Sequence, residues 1–368
     1  MLLPRYVSFL LLITIPFLRA ESQSANNATA NRPELAFFAA DDSAISYMGR
    51  IDFSNPKLPR FWASGVTVRA SFTGPDCAII LNDQVLYGNT HNYIEVAVDN
   101  YPSYRLQLKG TTDTILLKGR PGRQEHHFIV CKDTESGIGY LELAGLLCEG
   151  LLPRTKPPVR KIEFIGNSIT CGAGMDASET PCGQGKWYDQ HRAWMSYGPL
   201  TARALQAQWH LTSVAGIGLI HSCCDMGITM PQVFDKVDQR DDSLQWDFSR
   251  YQYQPDVVTI TLGQNDGIQD STAFCNAYLN FIKKIRTVYP SAKILCLTSP
   301  MGNAELTAVL KRYLTGIEGA ARAAGDGNVY TFFYSRQYSH GCGGHPDLAE
   351  HALIADELTA YLKKIMNW

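Results

Sequence analysis

The chain has 368 residues, 45% of them hydrophobic and 18% charged, which excludes wholesale disorder and allows two domains with sizeable cores. Its formal net charge of −2 provides no broad basic field, so nucleic acid and anionic membrane are excluded as expected partners and a neutral substrate is favoured.

Residues 1–20 read as a secretory signal: Arg5 supplies positive charge, residues 7–17 form an apolar run, and the small Ala20 precedes Glu21. A bilayer span needs about 20 apolar residues, so the run is too short to anchor the chain. Cleavage after Ala20 is expected, leaving an exported protein, periplasmic or secreted, with no membrane association. Residues 21–33 form a polar tail that includes the sequon Asn27-Ala28-Thr29.

Residues 34–150 contain short alternating or apolar runs broken by Gly, Pro, Asn and Asp, among them 65–72, 77–81, 93–98 and 127–131. This spacing predicts a β-sandwich. Phe61 and Trp62 sit at the start of a strand, where burial is usual, so the sandwich is expected to wall a cleft rather than bind polysaccharide. Residues 151–160, rich in proline and charge, read as a linker.

From 161 to 368 the pattern changes. Strands are expected at 162–165, 209–214, 257–262, 293–297 and 329–333, and helices at 196–208, 273–288, 306–324 and 347–366. Strands alternating with helices of this length predict a parallel sheet covered on both faces, a three-layer α/β/α arrangement. Ten cysteines permit disulfides in an exported protein. Cys171 with Cys182 would close a short loop, although spacing leaves the connectivity open. Cys77 and Cys296 lie in apolar runs and read as buried free thiols. No pair has the spacing of a zinc site, and no cofactor is indicated.

Four blocks carry chemistry. Ser168 follows an apolar strand in Phe164-Ile165-Gly166-Asn167-Ser168, at the sheet edge where open α/β sheets bind ligands. Taken alone, a serine there is more often a helix cap. Asn265, in Leu262-Gly263-Gln264-Asn265-Asp266-Gly267, emerges at the same edge, where its amide is placed to donate to an oxyanion. Gly216-Ile217-Gly218 follows a third strand and offers backbone N–H groups, although taken alone it reads more readily as a plain glycine turn. His345, in Gly341-Cys342-Gly343-Gly344-His345-Pro346, follows the last strand and is the base candidate.

In this order the blocks resemble the SGNH hydrolase superfamily. With Gly49-Arg50, Phe61-Trp62-Ala63-Ser64-Gly65-Val66, Tyr197-Gly198 and Trp246-Asp247-Phe248, the chain is most similar to the acetyl xylan esterases of carbohydrate esterase family two. The resemblance implies an all-β jelly-roll sandwich followed by a flavodoxin-like SGNH hydrolase domain. It also implies an enzyme that removes O-acetyl groups from acetylated plant polysaccharide such as xylan or glucomannan. Ser168 is then the nucleophile, His345 the general base, and Gly216 and Asn265 the oxyanion donors, with Gly218 a second glycine at hand and no metal required.

Two positions depart from the superfamily pattern. Asn167 replaces an aspartate beside the nucleophile, and Gly343 and Cys342 occupy the positions of the usual acidic triad member. Some family members lacking that acid use a Ser-His dyad with a backbone carbonyl orienting the ring, which is the expectation here. Asp347 and Glu350 are expected on the final helix, out of reach. Trp187 and Tyr188 fall in an aromatic-bearing insertion that either stacks on a sugar or packs internally. Met226 and Met230 read as packing residues. Alternative readings are a carbohydrate-binding protein with a degenerate esterase domain and a short-chain lipase or thioesterase; the oligomeric state stays open.

Overall fold

In the strand Thr67–Thr73, Val68, Ala70 and Phe72 are buried while Arg69, Ser71 and Thr73 are less so, the two-residue alternation of a sheet with one face on a core. The structure, a computed structural model, describes residues 34–240, 243–251 and 253–368. The signal and tail expected at 1–33 lie outside the described residues. Two antiparallel sheets form the first half. One orders Ala36–Ala39, Leu141–Cys148, Asp76–Asp83 and Thr112–Lys118; the other orders Gly150–Leu152, Thr67–Thr73, Glu125–Lys132, Tyr93–Val98 and Tyr104–Gln107. Successive strands repeatedly cross from one sheet to the other, so the chain is wound as a sandwich. Phe72, Ile79, Val96, Leu117, Phe128 and Leu146 fill the space between.

The second half is a five-stranded parallel sheet in the order Ala207–Ser213, Arg160–Gly166, Val257–Ile260, Lys293–Leu297 and Val329–Phe332. Its inner strands Val257–Ile260 and Lys293–Leu297 are buried and largely apolar on both faces, as a doubly covered sheet requires. Ile165, Val258, Ile260, Ile294 and Cys296 meet the helices Ser271–Val288 and Ala304–Ala323. Ile162, Phe164, Val257, Leu295 and Leu297 meet Tyr197–Ala204 and Leu348–Met366 on the other side.

Residues 35–368 form one compact unit. Met48 and Cys131 of the sandwich share a core cluster with Phe164, Trp194 and Trp209, and Trp209 Nε1 donates to Gly65 O at 3.0 Å. Arg50 is buried against Glu163 at 2.7 Å. Among the described residues no helix is long and apolar enough to cross a membrane.

Three expectations are corrected. Leu151 and Leu152, assigned to the linker, are strand residues opposite Phe72 and Ser71, because an apolar pair completes the sheet better than it bridges solvent. The helix expected at 196–208 ends at Ala204, where Gln206 takes a positive φ of 51° and turns the chain directly into the next strand. Cys182 is bonded to Cys342, 160 residues away, whereas Cys171 is a buried free thiol beside Ser213 Oγ. Cys77 and Cys296 are buried free thiols, as expected.

Candidate active site

Ser168 is the first residue of the four-residue helix Ser168–Cys171, set at the carboxyl end of the strand Arg160–Gly166. Asn167, which stands where the superfamily has an aspartate, caps this turn through Oδ1, accepting from Ile169 N at 3.2 Å. A neutral amide thus performs the local structural task. His345 comes from the loop before the helix Leu348–Met366, and its Nε2 lies 2.9 Å from Ser168 Oγ. Its Nδ1 lies 3.0 Å from Cys342 O. A carbonyl has no hydrogen to give, so Nδ1 donates and the neutral ring presents its Nε2 lone pair to the serine hydroxyl. Burial lowers the pKa of His345 below its ordinary value, and the Cys342 carbonyl opposes that shift by favouring the protonated ring.

The other two blocks close around the same place. Gly216 follows the strand Ala207–Ser213 with φ +86°, and among the described residues its N–H has no acceptor. Asn265 Nδ2 donates to Ile217 O at 2.8 Å, which orients the amide and leaves its second hydrogen for another acceptor. The buried carboxylate of Asp266 accepts from Leu219, Ile220 and His221 N–H at 2.7 to 3.1 Å. The Asn265 block and the glycine loop are therefore bolted to each other. Ser168, Gly216, Asn265 and His345 all line one cavity of about 650 Å³, within the range that holds small ligands.

Trp187 also lines this cavity and is 55% exposed. Tyr188 does not; it is buried with Tyr93 and Ile138, anchoring the insertion to the sandwich. Gly218 is likewise away from the cavity. Its N–H is taken by Ser222 Oγ at 3.0 Å, and a Cβ there would lie 1.8 Å from His221 O. Met230 is fully buried and Met226 packs half-buried against the same core, both as expected, and Met226 also lines the cavity. Asp347 caps the final helix by accepting from Glu350 N at 2.8 Å, and Glu350 accepts in return from Asp347 N. Both acids are thereby committed to a capping box, and neither is a partner of His345 Nδ1.

Sequence reasoning missed several residues of the site. Arg192 forks onto Glu95 at 2.9 and 2.7 Å and reaches Asp176 at 3.0 Å, tying the insertion to the sandwich. His191 is buried at the cavity wall, held neutral by desolvation, with no partner for either ring nitrogen among the described residues. Arg240, also at the wall, pairs with Glu135 at 2.7 Å. No motif marks these residues. Only the Asp266 role had a visible signal, an acid directly beside Asn265.

Comparison with known proteins agrees with this architecture. The carbohydrate esterase 2 N-terminal family matches residues 47–158, and the GDSL-like lipase/acylhydrolase family matches 164–350. The chain is 32% identical over 338 residues to the cellulase/esterase CelE of Acetivibrio thermocellus, covering 89% of this chain but only 40% of that longer protein. It is 30% identical over 356 residues to an acetylxylan esterase / glucomannan deacetylase of Cellvibrio japonicus, covering 94% and 95% of the two chains. A family two carbohydrate esterase from Clostridium thermocellum, solved in complex with cellohexaose, superposes with a TM-score of 0.80 at 32% identity, covering 88% of this chain and 99% of that one. With both regions matched in order and a relative covered almost end to end, the chain belongs to carbohydrate esterase family two and is a carboxylic ester hydrolase.

Proposed function

We propose that this esterase removes O-acetyl groups from acetylated plant polysaccharide, xylan or glucomannan, with Ser168 as nucleophile and His345 as the only proton carrier. The observation that carries the reading is the continuous line from Ser168 Oγ through the two ring nitrogens of His345 to Cys342 O. As Oγ adds to the acetyl carbonyl carbon, its proton passes to Nε2. The carbonyl oxygen becomes anionic between Gly216 N–H and the second amide hydrogen of Asn265. Collapse breaks the bond to the sugar oxygen, which takes the proton from Nε2 and leaves as an alcohol. Water then adds to the acetyl-enzyme with Nε2 as base, releasing acetate and restoring the serine.

The names of the relatives support the polysaccharide, and the exposed Trp187 offers a flat apolar face to a sugar ring beside the cavity. Export is supported by the Cys182–Cys342 bond, since disulfides persist in oxidising compartments. The test is acetate release from acetylated xylan and glucomannan, alongside 4-nitrophenyl esters of increasing acyl length. Turnover that falls steeply beyond acetyl and vanishes in Ser168→Ala supports the reading. Rates that rise with acyl length point to a lipase or thioesterase instead, and no turnover of any acetyl ester refutes the deacetylase.

A further inference from the structure

Residues 215–217 are held at successive peptide groups. Glu135 Oε2 accepts from Ala215 N at 3.2 Å, Cys223 N donates to Gly216 O at 2.9 Å, and Asn265 Nδ2 donates to Ile217 O at 2.8 Å. The first of these restraints comes from the sandwich, 80 residues earlier in the chain. Glu135 is fully buried. Its Oε1 accepts from Arg240 at 2.7 Å and from Gly137 N at 3.2 Å, and its own carbonyl accepts from the buried ammonium of Lys132 at 3.2 Å. Arg240 in turn reaches Ala215 O at 3.4 Å.

Geometry makes this last contact informative. Ala215 C=O and Gly216 N–H belong to one planar trans peptide and point in opposite directions. A guanidinium on the carbonyl side therefore fixes where the N–H on the other side aims. We infer that Glu135 is a positioning residue of the esterase reaction: with Arg240 it orients the 215–216 peptide so that Gly216 N–H faces the developing oxyanion. The sandwich thereby takes part in catalysis without touching substrate. The inference rests on the acyl-transfer reading of the site.

The experiment uses the whole protein and the isosteric variant Glu135→Gln, whose amide cannot accept from Ala215 N and Arg240 together. With 4-nitrophenyl acetate, kcat is expected to fall about 10-fold or more, short of the 10²–10³ lost when an oxyanion donor is removed outright. KM should stay within about twofold, because the ground-state ester does not use the donor. Methylboronic acid, which forms a tetrahedral adduct on a serine, should lose affinity in the same proportion as kcat. Arg240→Lys, which keeps a cation beside the buried Glu135 carboxylate but loses the planar fork, should show the same split and serves where Glu135→Gln does not fold. Unchanged kcat, or reduced kcat with unchanged boronate affinity, overturns the inference. Wild type and Ser168→Ala are measured alongside. An inactive wild type sinks the reading of the site and this inference with it, whereas an active wild type with unaffected variants sinks the inference alone.

Discussion

His345 Nδ1 donates to the main-chain carbonyl of Cys342, three residues earlier in its own loop. A carbonyl dipole orients the ring as a carboxylate would, but it supplies no full charge to the imidazolium that forms during attack. The nearby acids are spent elsewhere: Asp347 caps the last helix and Glu350 closes the capping box.

On the proposed reading of the site, the chemistry runs on a dyad. His345→Ala and Ser168→Ala should each lower kcat by about 10³ or more. Asp347→Asn should retain turnover within about threefold, since asparagine caps a helix nearly as well as aspartate. Initial rates of acetate release decide this, and a large loss in Asp347→Asn would falsify the dyad.

The residue whose carbonyl orients His345 is also half of the Cys182–Cys342 bond, which fastens the insertion to the histidine loop. Cys182→Ser leaves that carbonyl in place but unties its loop. Turnover of a small acetyl ester should drop about tenfold at unchanged KM, as expected for a base held less well. Stability should fall by about 2–4 kcal/mol, so the assay belongs well below the melting temperature. Full activity in protein shown by mass spectrometry to have lost the bond would count against this role.

Only neutral His345 can accept the serine proton. Because burial lowers its pKa below the ordinary 6.5, activity should persist into mildly acidic solution. The acid limb of kcat/KM against pH should have its midpoint below 6.5, with rate lost as the ring protonates. A midpoint at or above that value would show that the pocket does not disfavour the charged ring.

His351 is fully buried, its Nδ1 accepting from Tyr197 N at 3.1 Å, and its pKa is lowered to about 3, chiefly by desolvation. The unfolded chain then binds this proton more readily than the fold does. The stability it contributes is complete above pH 6.5 and is lost as pH falls toward about 3, at up to about 1.4 kcal/mol per pH unit. His191 and His210 act in the same direction. Denaturant unfolding across this range should show a shallower slope in His351→Asn than in wild type.

Arg50 and Glu163 bury a charge pair between the sandwich and the parallel sheet, and Thr212 adds a hydrogen bond to Glu163 at 2.6 Å. Removing one partner strands the other charge away from water. Arg50→Ala should cost about 3–5 kcal/mol, and the apolar double replacement Arg50→Met with Glu163→Leu should cost less than the single change. Equal costs in chemical denaturation would mean that the stranded charge finds water.

Much of this was legible in the chain. Ser168 and Asn265 each follow an apolar strand and Gly216 follows one of mixed polarity, and parallel strands deliver their carboxyl ends to one edge. The orienting group of His345 was not legible as a residue, because a backbone carbonyl has no residue-type signature. The missing acid at Gly343 and Cys342 predicted only that something else must serve. Glu135 and Arg240 were invisible because their partners lie 80 and 105 residues away and no spacing rule links them. The Cys171–Cys182 proposal failed for a related reason: closeness in sequence is a poor guide when Cys171 points into the core and Cys182 reaches another loop. Tyr188 and Trp187 are neighbours with opposite fates, one packed inward and one at the cavity, a choice made by tertiary contacts.

The core cluster in which Met48 and Cys131 meet Phe164 and Trp209 has a consequence for anyone wishing to divide the molecule. A cut at residues 153–159 would look natural along the chain, yet it would pass through a seam welded by buried side chains. The hydrolase half set free would carry a bare apolar flank around Trp209 and an orphaned carboxylate at Glu163. Grafting a sandwich from another relative would succeed only if the mating side chains travelled with it.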